Sequence, residues 1–222
     1  DRAGLVGADG PTHHGVFDIA YLRSVPGIII AAPMDETELR NLMFTAQDDN
    51  SGPFAIRYPR GRGVTCEWKQ KMQKIPVGKA RKISSGNDMA ILSIGHTGNF
   101  VKEAVENCTK LGISIAHYDM RFVKPIDEQV LHDVFQQFNR IITVEDGVIT
   151  GGFGSAVIEF MADNNYKADV KRLGIPDKFI EHGTVEQLRK DCGFDVQGIY
   201  NTVKEMIKTE LLKDVSISRK AY

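Results

Sequence analysis

The chain has 222 residues, which is enough for one large or two modest domains, each with a hydrophobic core. Apolar residues make up 42% and charged residues 26%, which excludes disordered, collagen-like and coiled-coil chains. The net charge is -1 and no apolar stretch approaches the roughly twenty residues of a membrane span, so we expect a soluble protein that binds neither nucleic acid nor membrane.

The first part of the chain has the pattern of a strand–helix–strand unit. The expected elements are a glycine-rich loop (residues 4–10), a short helix (16–22), a buried strand (27–32), an amphipathic helix (37–47) and a second strand (54–58). Pro59 ends the second strand. The chain starts without Met or a targeting signal, and we expect a fragment of a longer protein.

A stretch without helical or strand periodicity, residues 63–76, is the predicted linker. Beyond it, strands are predicted at 89–94, 113–118, 141–144 and 170–173, alternating with helices at 99–111, 127–138 and 154–164. Such alternation is typical of an α/β fold with a doubly wound, mostly parallel sheet. Two closing helices follow, the first capped by Thr184 with Gln187, and residues 215–222 are expected to fray.

Two polar loops are candidate ligand sites, because ligands of such sheets bind near the ends of strands. The loop of residues 9–15 carries Asp9, His13 and His14 between glycines, which can bring a backbone close to a small substrate; the alternative, which composition alone favours, is a set of turn, surface or helix-start residues. At the end of the second strand, Arg57, Arg60 and Arg62 offer planar guanidinium groups for phosphate or carboxylate; the alternatives are a solvated loop or ion pairs within the protein.

Several other sequence patterns indicate a structural role and not a ligand-binding or metal-binding role. The glycine-rich turn of residues 147–155 follows the third strand of its domain rather than the first, so we expect tight helix packing and not a dinucleotide site. The four remaining histidines have no partner at metal-ligand spacing and are expected to be structural or on the surface. Three cysteines without a close pair argue against disulfides and zinc, which fits a reducing, cytoplasmic setting; they are Cys66, Cys108 and Cys192.

Longer motifs support a resemblance to a known family. Residues 1–15, 32–36 and 57–61 closely resemble the 1-deoxy-D-xylulose-5-phosphate synthase family of transketolase-like enzymes. Residues 119–127 and 144–177 carry motifs of the transketolase C-terminal domain, which the β subunits of 2-oxo acid dehydrogenases share. The resemblance implies the C-terminal part of a pyrimidine-binding domain (1–62), a linker (63–76) and a transketolase C-terminal domain (77–214).

The resemblance also implies an activity. Members of the family are homodimers that use thiamine diphosphate and Mg2+ to join pyruvate and D-glyceraldehyde 3-phosphate with release of CO2, a transferase step toward isoprenoids, thiamine and pyridoxal. By the family pattern, Arg2 and Arg60 hold the acceptor's phosphate, whereas Asp9 and His13 contact the substrates. His14 stands where relatives vary and receives no role. The segment 7–10 resembles a metal and diphosphate motif but departs from it, so we expect the cofactor ligands upstream and an inactive isolated fragment.

Two alternatives remain open at this point. The first is the β subunit of a 2-oxo acid dehydrogenase, which would have lipoyl-domain partners and no need for a phosphate-binding Arg60. The second is a non-catalytic assembly module whose sheet supports dimerisation. The family's setting is cytoplasmic in bacteria and the plastid stroma in plants and algae.

Overall fold

The computed structural model describes residues 2–48, 52–64 and 70–218, with side chains as far as residue 208. Its elements, in chain order, are α1 (Asp18–Leu22), β1 (Ile29–Ala31), α2 (Glu36–Thr45), β2 (Phe54–Ile56), β3 (Arg81–Ser84), β4 (Met89–Ser93), α3 (Thr97–Thr109), β5 (Ile115–Asp119), β6 (Phe122–Lys124), α4 (Glu128–Gln137), β7 (Arg140–Val148), α5 (Phe153–Asp163), β8 (Asp169–Ile175), α6 (Val185–Asp191) and α7 (Val196–Ser218). Within the described ranges, no helix is long and apolar enough to cross a membrane.

The larger sheet has the strand order β3-β5-β4-β7-β8. β5, β4, β7 and β8 run parallel, which confirms the predicted doubly wound, mostly parallel α/β architecture. The edge strand β3 pairs antiparallel with β5 and was not predicted. Its sequence, Arg-Lys-Ile-Ser, is largely polar because an edge strand is covered on fewer sides than a central one.

Helices cover both faces of this sheet because successive residues of a strand point to opposite sides. In β4, Met89 and Ile91 pack in one buried cluster with residues of α3 and α7. Ala90 and Leu92 face the other way and pack with residues of α4 and α5. β4 is apolar at four of its five positions and is buried on both faces, as is typical of a central strand in a parallel sheet.

A smaller sheet has the order β2-β1-β6. β1 and β2 run parallel on either side of α2 in sequence, which confirms the predicted strand–helix–strand unit. β6 comes from the second half of the chain and pairs antiparallel with β1. Its Phe122 is fully buried, with its ring centroid 6.3 Å from that of Phe54. The two halves of the chain are thus joined through a shared sheet.

The helix ends follow the chemistry that the sequence indicated. The carboxylate of Asp35 accepts a hydrogen bond from the Glu38 N–H and caps α2. Thr184 and Gln187 form the predicted capping box of α6. Residues 215–218, expected to fray, instead continue α7, because residues 199–218 contain no glycine or proline to end it. Residues 219–222 lie outside the described residues.

The predicted linker is attached to α2 where the structure describes it. Residues 70–76 form neither helix nor strand, yet Ile75 is buried and its N–H donates to Thr45 Oγ1 at 2.8 Å. Residues 65–69, which include Cys66, lie outside the described residues. Cys108 and Cys192 are both free thiols.

Candidate functional site

Residues 2–15 form a loop beside the smaller sheet, referred to below as the glycine loop. Two backbone hydrogen bonds close its stem, from Gly4 N to Gly15 O at 2.7 Å and from Gly15 N to Gly4 O at 2.9 Å. The N–H of Ala3 also donates to Tyr58 O at 3.0 Å, which ties the loop to the segment after β2. Gly4 has a φ of +75°, so a glycine is favoured at this turn of the stem.

Two of the predicted site residues, Arg60 and Asp9, form an ion pair. Arg60 Nη1 lies 3.1 Å from Asp9 Oδ2, and the two side chains are 57% and 40% exposed. An ion pair this exposed stabilises a fold by about 0–1 kcal/mol. A doubly charged phosphate would compete well for a guanidinium held so weakly.

The other two predicted residues lie on the same loop but have fewer contacts. His13 is exposed, and its Nδ1 lies 2.9 Å from Thr12 Oγ1. Arg2 is also exposed, with a φ of 62°, and its side chain forms no hydrogen bond or ion pair within the described part of the chain. The structure thus brings Asp9 and Arg60 into contact. His13 and Arg2 lie on the same loop as Asp9, but their side chains contact neither Asp9 nor Arg60 in the described part of the chain.

His14 is buried and holds the loop from inside. Its Nδ1 accepts the N–H of Val6 at 3.0 Å, which places the proton of the neutral ring on Nε2. The neighbouring histidines therefore differ in environment, since His13 faces solvent and His14 supports the backbone.

The predicted arginine cluster divides into a buried member and two exposed members. Arg57 is buried; its Nε donates to Asp18 Oδ2 at 2.7 Å, its Nη1 donates to Asp146 Oδ1, and its Nη2 donates to Gly15 O at 3.3 Å. Burial opposes its charge, yet Asp146 and Asp18 together hold the pKa of Arg57 above its ordinary value. For Arg57 the ion-pair alternative is therefore correct, and the anion-binding interpretation is wrong.

Asp146 also faces His96, and sequence reasoning missed this contact. His96 Nδ1 lies 3.2 Å from Asp146 Oδ2. Burial lowers the pKa of His96, so the ring is neutral near pH 7. Burial alone would raise the pKa of Asp146, but the charge of Arg57 holds it below its usual value. Composition and spacing give no signal for this contact, because residues 96 and 146 meet only in the folded chain.

The glycine-rich turn of residues 147–155 packs a helix, as predicted. The Glu145 carboxylate accepts hydrogen bonds from Phe153 N at 2.8 Å and Gly154 N at 2.9 Å, and so occupies the N-terminus of α5. A Cβ at Gly152 would lie 2.3 Å from Glu145 Oε2. Burial raises the pKa of Glu145 to about 7. A phosphate group has no room at this helix end.

A cavity of about 740 Å³ opens between the two halves of the chain. Arg60 and Arg62 line one side of it, and Arg189 lines another, with its guanidinium carbon 3.9 Å from the centroid of the Phe100 ring. The volume falls in the range of small-molecule sites. The segment that carries Arg60 therefore borders a space large enough for a small phosphorylated molecule.

The described residues do not contain a metal site. In the ranges 2–48, 52–64 and 70–208, no three His, Cys, Asp or Glu side chains are grouped so that they could hold a metal ion. Glu145 fills the glycine-rich helix end, so the N-terminus of α5 offers no cradle for a diphosphate.

Comparison with known families gives matches along most of the chain. Residues 78–199 match the model of the transketolase C-terminal domain, and residues 1–64 match that of the transketolase pyrimidine binding domain. Among solved structures, a split-gene transketolase described as an inactive β4 tetramer superposes with a TM-score of 0.77 at 25% identity, covering 90% of this chain and 63% of that one.

Curated relatives are more similar in sequence. A 1-deoxy-D-xylulose-5-phosphate synthase of Cytophaga hutchinsonii is 60% identical over 207 residues, which is 93% of this chain and 32% of the relative. The protein of the same name from Bacteroides fragilis is 55% identical over 218 residues, which is 98% of this chain and 33% of the relative. The chain thus spans about a third of the length of these relatives.

Proposed function

The chain belongs to the transketolase family, and from that premise we propose that it is the acceptor-binding part of a 1-deoxy-D-xylulose-5-phosphate synthase. The complete enzyme would condense pyruvate with D-glyceraldehyde 3-phosphate and release CO2. Relatives that carry this name are 50–60% identical to the chain, which supports the proposal. The domain boundaries remain part of it: a pyrimidine-binding portion over residues 1–62, a linker, and a C-terminal domain over 77–214.

The observation that carries the proposal is the exposed guanidinium of Arg60 at the edge of a cavity. Its only ion pair in the described part of the chain is with the exposed carboxylate of Asp9. A phosphate dianion offers more charge and more acceptor atoms than Asp9, so it would draw Arg60 away from that pair. Arg2, without any side-chain partner in the described ranges, would be the second phosphate-binding arginine.

His13 has a different proposed role. Its ring is exposed on the glycine loop and can turn toward a bound aldehyde. A carbonyl oxygen gains negative charge as a new carbon–carbon bond forms, and a donated hydrogen bond stabilises that charge. Asp9, once released from Arg60, would accept hydrogen bonds from the hydroxyl groups of the substrate.

Thiamine diphosphate and Mg2+ belong to the proposal as cofactors of the complete enzyme. When bound, thiamine diphosphate supplies the electron sink that decarboxylation of pyruvate requires. The described residues lack a metal-ligand group, and the N-terminus of α5 offers no diphosphate cradle, so they do not fit the charged half of the cofactor. We therefore assign Arg60 and Arg2 to the phosphate of the acceptor and not to the diphosphate of the cofactor.

The proposal also covers the oligomeric state, the cellular location and the metabolic route of the enzyme. We propose that the enzyme works as a cytoplasmic homodimer at the entry to the methylerythritol phosphate route, which also feeds thiamine and pyridoxal synthesis. The alternative of a 2-oxo acid dehydrogenase β subunit leaves the exposed Arg60 without a phosphate to bind. The alternative of a pure assembly module leaves the cavity and its arginines without a role.

The test is to supply the complete polypeptide with labelled pyruvate, thiamine diphosphate and Mg2+. We expect CO2 release and formation of 1-deoxy-D-xylulose 5-phosphate to require glyceraldehyde 3-phosphate. A second arm offers a lipoyl domain in place of the aldehyde. Acyl transfer to the lipoyl group without use of the aldehyde would favour the dehydrogenase alternative, and no turnover in either arm would favour the assembly module.

A further inference from the structure

Arg57 and Asp146 form a buried ion pair between the two halves of the chain. Arg57 follows β2 in the first half, whereas Asp146 lies in β7 of the second half. Their side chains are 6% and 2% exposed. An ion pair in such a dry position has a defined geometry, because water does not compete for its hydrogen bonds.

The stem of the glycine loop rests directly on this pair. Arg57 Nη2 donates to Gly15 O at 3.3 Å on one strand of the stem. On the other strand, a Cβ at Gly4 would lie 2.4 Å from Asp146 Oδ2, so the Gly4 backbone lies against the carboxylate. Both arms of the loop therefore contact the pair at the point where they hydrogen-bond to each other.

The same pair also fixes the segment that carries Arg60. Arg57 lies three residues before Arg60, and Tyr58 between them accepts the Ala3 N–H at 3.0 Å. A guanidinium with three acceptors on different segments can hold those segments in one arrangement, since its donors are fixed in a plane. The positions of Asp9 and His13 relative to Arg60 thus depend on a carboxylate of the second half.

We propose that Asp146 is a positioning residue for the acceptor site, which it serves by holding Arg57 against the glycine loop. This inference rests on the proposed function, and it gives a residue of the C-terminal domain a role in positioning the acceptor site. Asp146 acts through Arg57 on the loop stem, and the loop then presents Asp9, His13 and Arg60 at the spacing that the phosphorylated aldehyde needs.

The test is Asp146→Asn in the complete polypeptide. Asparagine fits the same space but removes the charge that holds Arg57 in place. Because a shift of about 1 Å in a binding group can cost on the order of a hundredfold, we expect kcat/KM for glyceraldehyde 3-phosphate to fall about ten- to a hundredfold. We expect most of the loss in the KM for this aldehyde, with the KM for pyruvate unchanged.

The matched control is Glu38→Gln, which neutralises another buried acid between the halves. Glu38 in α2 accepts from Arg121 Nε at 2.8 Å and from Arg121 Nη2 at 2.9 Å, and its side chain is 6% exposed. Glu38 makes no hydrogen bond or ion pair with the glycine loop in the described part of the chain. We expect this variant to lose stability without a selective rise in the KM for the aldehyde.

If Asp146→Asn does not fold, Arg57→Lys gives the second test, since it keeps the charge but replaces the fork with one ammonium group. A raised KM for the aldehyde beside an unchanged KM for pyruvate supports the positioning role. Equal effects of Asp146→Asn and Glu38→Gln, or an unchanged KM for the aldehyde in Arg57→Lys, would overturn it. Wild-type protein that forms no product would instead overturn the proposed function, a result that the same assay separates.

Discussion

Replacing Arg60 with alanine in the complete polypeptide is expected to lower kcat/KM for glyceraldehyde 3-phosphate by about two to three powers of ten. This is the scale of losing one charge-assisted contact of about 3 kcal/mol with a phosphate dianion. We expect the substitution to change the free energy of unfolding little, because both side chains of the Arg60–Asp9 ion pair are exposed to solvent. The measurement is steady-state kinetics with each substrate varied in turn, and the KM for pyruvate should hardly move.

Two controls separate phosphate binding from other effects of the substitution. Unphosphorylated D-glyceraldehyde offers Arg60 no dianion, so its kcat/KM should fall much less in the same variant. Lys74→Ala removes the cation of another exposed ion pair, the one with Asp48, whose side chains are 54% and 47% exposed and which does not line the cavity, and it should leave the aldehyde kinetics near those of the wild type. If kcat/KM fell equally for both aldehydes, Arg60 would support the structure of the loop and would not bind the phosphate.

The second large effect concerns the stability of the fold in acid. His117 is fully buried in β5 with its Nε2 2.8 Å from Ser93 Oγ. Burial, aided by the charge of Arg81, lowers the pKa of His117 from 6.5 to about 3. The neutral ring therefore contributes stability that is fully present above pH 6.5 and is lost as pH falls toward 3. By linkage the free energy of unfolding decreases by about 4–5 kcal/mol in total, and about 2 kcal/mol of this decrease occurs between pH 7 and pH 5.

The comparison that isolates this effect is His117→Gln against the wild type. Burial raises the pKa of Glu145 to about 7 and that of Asp119 to about 6. As pH falls, the folded chain therefore protonates these two acids before the unfolded chain does, which stabilises the fold and opposes the effect of His117. Both acids titrate in both proteins, and their contributions cancel in the difference. Urea unfolding should show the variant gaining about 2 kcal/mol relative to the wild type from pH 7 to pH 5. A difference that does not change with pH would contradict the account.

The predictable part of the fold is the part with a strong apolar pattern. The strand predicted at residues 89–94 is apolar at nearly every position, and the structure has β4 there, over Met89–Ser93. β3 and β6 were not predicted, since β3 is a polar edge strand and β6 has only three residues. β6 also pairs with β1, far away in sequence, and no local pattern indicates such a pairing.

The candidate site divides along similar lines. Motif resemblance singled out Asp9 and Arg60 before any geometry was known, and the structure places them in contact. Sequence reasoning grouped Arg57 with Arg60 because the two lie close in the chain. Their environments differ because Arg57 faces Asp146 and Asp18, which reach it only through the folded arrangement of both halves. Composition and spacing alone carry no information about that arrangement.

The central claim is that Arg60 and Arg2 hold the phosphate of the acceptor. The most direct measurement is a structure of the complete polypeptide with glyceraldehyde 3-phosphate bound. The account predicts a phosphate oxygen within about 3 Å of a guanidinium nitrogen of Arg60, with Arg2 on the same phosphate. A phosphate bound away from both arginines, with Arg60 still paired to Asp9, would contradict it.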